Sequence, residues 1–164
     1  SSSGALLRAR GAGIPAFHLS RWTDPQPGRL DQKICATLTA YGVEVVCMCG
    51  YMKRLGPQIL DAFDGRILNI HPALLPKFGG KGYYGDAVHE AVLTAGESES
   101  GATVHLVDAE YDTGPILSQR SVPVHEDDTS ETLAARVLKV EHQLYAETLQ
   151  QIASGRIKLD GLDR

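Results

Sequence analysis

Two short apolar runs, residues 43–48 (VEVVCM) and 66–70 (RILNI), lie about one helix apart, and that spacing constrains the fold more than any other feature of the chain. A near-continuous apolar run reads as a strand buried on both faces. Two such strands joined through a helix lie parallel, with a right-handed crossover. The run at 43–48 therefore reads as a central parallel strand. Residues 57–63 supply the helix between the pair. Before it, Leu30, Ile34, Leu38 and Tyr41 fall on one face of a helix over 30–41, which Gly42 ends. After it, Ala87, Val88, Ala91 and Val92 share a face of a helix over 84–95, followed by Gly96.

The remainder extends this pattern. Residues 1–13 read as a loop and a short helix bearing Leu6 and Leu7, and residues 15–19 as a strand. Residues 102–107 and 116–124 read as two strands whose short connection makes them antiparallel neighbours. Asp128 and Thr129 cap a long helix that reaches Ile152. One stripe of that helix carries Leu133, Val137, Val140 and Leu144, and a second carries Leu138, Tyr145, Leu149 and Ile152. Residues 157–159 form a terminal strand or tail. The expected class is α/β: a mostly parallel central sheet flanked by helices, with an antiparallel pair of strands near the C-terminus, in a single domain over 1–164.

Composition narrows the function. A chain of 164 residues, 43% hydrophobic and 22% charged, is long enough to bury a real core. Its net charge of −4 argues against a nucleic-acid partner, which calls for a basic face. No apolar run approaches the ~18 residues of a membrane span, and the first residues lack the apolar centre of a signal peptide. Cys35, Cys47 and Cys49 make an odd count with no disulfide framework. They read as buried, reduced core cysteines, which suits a cytoplasmic address.

The chemistry concentrates in residues 66–84, RILNIHPALLPKFGGKGYY. Asn69 and His71 stand two apart in extended chain, so both side chains point to one face at the carboxyl end of a strand, where open α/β sheets place ligands. Pro72 ends the ladder, and the loop that follows holds Gly79, Gly80 and Gly82. Asp108, Glu110 and Asp112 lie in an acidic loop, with Asp112 directly before Thr113-Gly114-Pro115. An amide, an imidazole and a carboxylate at one strand end suit acyl transfer without a covalent intermediate. Amide and imidazole would stabilise an oxyanion, and the carboxylate would set the imidazole's tautomer and raise its pKa. No metal is expected: the chain has no H-E-x-x-H, no clustered Cys and His, and no G-x-S-x-G.

The runs ALLRARGAGIP, VEVVCMCGYMKRLGP, RILNIHPALLPKFGGKGYYG, GATVHLVDAEYDTGPILSQRSVPV and TSETLAARVLKVEHQLY cover most of the chain. Through them it resembles the folate-dependent formyltransferases, and within these the members that formylate glycinamide ribonucleotide in purine synthesis. The pairing of N-x-H-P-[SA]-L-L-P with a later D-x-G-P is the specific mark. The resemblance implies a formyltransferase-type Rossmann-like fold, 10-formyltetrahydrofolate as co-substrate, and Asn69, His71 and Asp112 as the catalytic trio. It places the folate at Lys53, Arg54, Leu55, Val107, Asp108 and Asp112. It places the ribonucleotide at Gly50, Met52, Pro72 and Glu141, with the ribose on Glu141. His105 and Gly80 line the site less directly, and His18, His89, His125 and His142 are structural or surface residues. Lys53 stands where many relatives carry Arg.

Family members begin with a strand and a Gly-rich turn that binds the substrate phosphate at a helix N-terminus. This chain starts after that unit, so its first βα unit is missing. The partner expected is that N-terminal segment or a second copy of the chain. Two alternatives stand beside the transferase reading. One is a formyltetrahydrofolate deformylase, against which Pro72 after His71 speaks. The other is a truncated, inactive folate-binding or partner chain.

Overall fold

The computed structural model describes residues 3–160. In chain order the elements are α1 (Gly4–Gly11), α2 (Arg29–Ala40), β1 (Val46–Met48), α3 (Pro57–Ala62), β2 (Ile67–His71), α4 (Asp86–Thr94), β3 (Glu99–Leu106), β4 (Ile116–Pro123) and α5 (Ser130–Ala153). The strands form one sheet in the order β1-β2-β3-β4. β1 and β2 run parallel around α3, as their spacing requires. β2 pairs antiparallel with β3, and β3 antiparallel with β4.

The α/β class and the antiparallel C-terminal pair stand, but the described sheet is mixed, not mostly parallel. The difference lies at β2–β3. The α4 connection returns the chain so that Asn69 faces His105 and His71 faces Thr103 across an antiparallel ladder. Two other expectations are corrected. β1 is an edge strand among the described residues, with Cys47 exposed, because no strand lies beyond it. Cys49 is exposed and Cys35 half-buried, so none of the three is the core cysteine expected. Residues 15–19 form no strand. Without a ladder to join they run irregularly over the surface, where the Phe17 ring lies 5.2 Å from that of Tyr41.

The helices form for local reasons. α5 starts with a reciprocal cap: Thr129 Oγ1 accepts from the Thr132 amide and Thr132 Oγ1 accepts from the Thr129 amide. Its buried Leu133, Val137, Leu144 and Ile152 pack with Leu68, Val104 and Val122 of the sheet. The Tyr145 hydroxyl shares its one hydrogen between the carbonyls of Leu68 (3.1 Å) and Met48 (3.2 Å), fixing α5 to β1 and β2. A second cluster, around Ile59, Phe63 and Ile67, joins α2 and α3 to the other side of β1. Among the described residues no helix is long and apolar enough to cross a membrane.

Candidate active site

The loop after β2 is held by one hydroxyl. Buried Thr103 Oγ1 on β3 donates to Ala73 O (2.6 Å) and accepts from the amides of Leu75 (3.1 Å) and Gln119 Nε2 (2.9 Å). The chain then turns back through Phe78, Gly79 and Gly80 over the end of β2. Gly80 has φ +94°, a conformation that an L side chain rarely adopts, and its amide donates to Asp112 Oδ2 at 2.9 Å. The glycine-rich loop thus aims the carboxylate at the strand end.

There the polar side chains meet. His71 and His105 are 4% and 2% exposed, and Asp112 lies between them. Asp112 Oδ2 is 3.6 Å from His71 Nδ1 and Oδ1 is 3.5 Å from His105 Nε2. Each imidazole gives its outer nitrogen to a carbonyl, His71 Nε2 to Phe78 O (2.7 Å) and His105 Nδ1 to Leu106 O (2.8 Å). A carbonyl only accepts, so those outer nitrogens carry hydrogens. In the neutral rings the nitrogens facing Asp112 then hold lone pairs. Asn69 Nδ2 donates one hydrogen to His105 Nε2 at 3.2 Å, leaving its other hydrogen free to serve a ligand. The cluster is built to receive a proton beside a carboxylate.

Its electrostatics agree. Burial is the main influence on His71 and lowers its pKa, with Asp112 opposing the shift. Burial would raise Asp112, but the proximity of the two imidazoles and the hydrogen bond from the Gly80 amide bring it below its usual value. At neutral pH the pair is a carboxylate beside a neutral imidazole. Replacing Asp112 with Asn removes the charge that favours imidazolium. NMR titration of the His71 ring should therefore show a pKa below 6.5 in the parent protein and a lower one in D112N. His89 is also depressed by burial. Both histidines favour the neutral form when folded, so their stabilisation is present above about pH 6.5 and is lost as pH falls through the folded pKa values. Melting temperature should accordingly drop between pH 7.5 and 5.

The cluster forms part of the wall of a cavity of about 760 Å³, enough for a folate-sized ligand. Gly50, Met52, Lys53, Arg54, Leu55, Asn69, His71, Pro72, Val107, Asp108, Asp112 and Glu141 all line it. Their side chains are not equally available. Asp108 is closed on its own loop, accepting from the Glu110 amide (2.9 Å) and the Thr113 hydroxyl. Arg54 is engaged with residues 109–111. Glu141, on α5, is partly buried, which raises its carboxyl above the usual range.

His105 belongs inside the cluster, closer than expected. The signal for it was its place opposite Asn69, a matter of register that a single strand does not display. His89 is 5% exposed and lines the same cavity, as do Tyr83, Tyr84 and Tyr111, which sequence reasoning did not single out, and Leu138, which it placed on an apolar stripe of the long helix. His18, His125 and His142 lie at the surface as expected. Among the described residues no group of three or more His, Cys, Asp or Glu is placed to hold a metal ion.

Residues 2–149 match the family described as formyl transferase. The chain is 48% identical over 156 residues to an Arabidopsis thaliana protein described as phosphoribosylglycinamide formyltransferase, chloroplastic, covering 94% of this chain and 53% of that one. It is 39% identical over 147 residues to phosphoribosylglycinamide formyltransferase of Bacillus subtilis, covering 90% of this chain and 73% of that one. Among solved structures, glycinamide ribonucleotide transformylase 1 from Symbiobacterium toebii superposes with a TM-score of 0.88 at 41% identity, over 98% of this chain and 74% of that one. The chain spans about half the length of the plant relatives it matches.

Proposed function

The chain belongs to the formyl transferase family, and from that premise we propose that it passes the formyl group of 10-formyltetrahydrofolate to the primary amine of glycinamide ribonucleotide. The observation that carries the reading is the meeting of Asn69, His71 and Asp112 at one end of a cavity large enough for the donor. The amine nitrogen attacks the formyl carbon, and the carbonyl electron pair moves onto oxygen. Collapse of the tetrahedral intermediate breaks the bond to N10, which takes up the proton the amine loses. The free hydrogen of the Asn69 amide and the Nε2 hydrogen of His71 stabilise the oxyanion. In this step the substrate oxygen replaces Phe78 O as the acceptor from His71. Asp112 stabilises the imidazolium whenever His71 holds the proton in transit.

The rims of the cavity supply the binding sites. Main-chain groups of 107–112 and of Lys53, Arg54 and Leu55 read the edge of the pterin, and the Lys53 ammonium meets the carboxylates of the folate tail. Gly50, Met52, Pro72 and Glu141 face the ribonucleotide, and a partly buried carboxylate such as Glu141 suits a pair of ribose hydroxyls. No metal takes part in this scheme.

The unpaired edge of β1 is the seat we propose for the family's first βα unit, whether from a longer polypeptide or from a second chain. Exposed Cys47 and Cys49 report on it. Both should react with a thiol reagent in 1–164 and become at least about tenfold slower when that unit is present, since a paired strand excludes the reagent. Equal rates would argue against the seat. The three free thiols suit a reducing interior such as cytoplasm or plastid.

The test of function is donor consumption with and without glycinamide ribonucleotide. Consumption that depends on the ribonucleotide supports the transferase. Equal consumption without it would make the protein a hydrolase, and none from folded protein would make it a silent chain.

A further inference from the structure

Arg54 lines the cavity with its guanidinium turned away from a purely ligand-binding role. Nη2 donates to the Ala109 carbonyl and lies 3.4 Å from Glu110 Oε1, and the guanidinium carbon sits 5.5 Å from the centre of the Tyr111 ring. All three contacts are to consecutive residues of the loop on the opposite rim. The same loop ends at Asp112, which sets the two imidazoles. It is stiffened from within by Asp108, which binds the Glu110 amide and the Thr113 hydroxyl. Arg54 and Glu110 are 53% and 73% exposed, so their ion pair alone contributes little. The planar guanidinium combines that pair with a carbonyl bond and a cation–π contact, a set that lysine reproduces only in part.

We propose that Arg54 is a positioning residue, a clasp that ties residues 109–111 to the 52–55 rim so that the formyl donor meets a preformed slot. The proposal rests on the formyl-transfer reading for its ligand, but the clasp itself is a property of the unliganded protein. A preformed loop spares the donor the cost of ordering it, so the clasp acts on binding and leaves the chemical step alone. Lys53, beside it and without an ion pair among the described residues, remains the cation for an anionic tail.

Hydrogen exchange tests the clasp without any ligand. In Arg54→Ala the Glu110 amide, which Asp108 holds, should exchange at least about tenfold faster than in the parent, while the Gly80 amide, which holds Asp112, and those of β2 and β3 stay unchanged. Kinetics then test its use. R54A should raise KM for 10-formyltetrahydrofolate about tenfold, with kcat and KM for glycinamide ribonucleotide within about twofold. R54K should recover part of that loss. The same tenfold factor should appear with 10-formyltetrahydropteroate, which lacks the glutamate tail. In an E110Q/Y111L background, where only the Ala109 carbonyl bond remains, R54A should cost clearly less than the tenfold it costs in the parent.

Unchanged exchange in R54A would overturn the clasp. A KM effect that vanishes with the tail-less donor would also overturn it, because Arg54 would then be a direct ligand of the tail. So would full multiplicativity with E110Q/Y111L. Absence of ribonucleotide-dependent turnover in the parent protein would defeat the functional reading alone, since the exchange result stands apart from it.

Discussion

Replacing His71 with Ala should lower ribonucleotide-dependent turnover by about 10³-fold or more, with KM for the donor changed only a few-fold. The ring sits where two contributions meet. A positioned proton-transfer group is worth roughly 10²–10⁴ and an oxyanion donor roughly 10²–10³, and one imidazole supplying both does not give their product. Asn69→Ala removes one donor and should cost about 10²-fold. The His71 ring is buried but bonded only to a loop carbonyl, with the Asp112 carboxylate 3.6 Å away, so H71A should keep its far-ultraviolet dichroism and a cooperative melt. Residual activity within tenfold of the parent in a folded H71A protein would remove His71 from the chemistry.

Gly114→Ala should carry the largest stability effect. A Cβ at Gly114 would overlap the Leu106 carbonyl oxygen, and that oxygen belongs to backbone. The neighbourhood cannot yield easily. Leu106 O accepts from His105 Nδ1 at 2.8 Å, and the Leu106 amide donates to Pro115 O at 2.9 Å. Relief of the overlap would move the end of β3, and with it the carbonyl that fixes the tautomer of His105. A loss of about 3 kcal/mol is expected from this overpacking, or roughly 10 °C in melting temperature for a domain of this size. Activity should fall further than stability alone explains. Gly11→Ala is the control: nothing lies within 4 Å of a Cβ there and the residue closes a helix, so the change should be neutral or slightly stabilising. Equal melting temperatures for G114A and G11A would contradict the packing described at the end of β3.

These two sites differ in how far the sequence revealed them. His71 was legible because the information is local: an apolar strand, a same-face amide two residues before it, and a proline and glycines directly after. α5 was legible for a similar reason, its threonine cap and apolar stripe being written in consecutive residues. β1 was misread because an apolar run reports only that its residues prefer burial. Whether they achieve it depends on a neighbour strand that local sequence does not specify. The antiparallel course of β3 against β2 was hidden in the same way, since the α4 connection fits either direction. His105 depends on that course, because only the register Asn69↔His105 carries it into the cluster. Arg54 was placed at the folate site by the family resemblance; its side-chain contacts to the opposite loop depend on where the fold puts that loop, which consecutive residues do not state.

In the proposed reaction this cavity moves a formyl group from folate nitrogen to an amine. The most direct measurement follows a ¹³C label in the formyl carbon of 10-formyltetrahydrofolate by NMR, in the presence of the protein and glycinamide ribonucleotide. The label should pass into the formamide carbon of the ribonucleotide product, and H71A should slow that transfer by about 10³-fold or more. Label released only as formate, or left on the donor by folded protein, would contradict the proposed reaction.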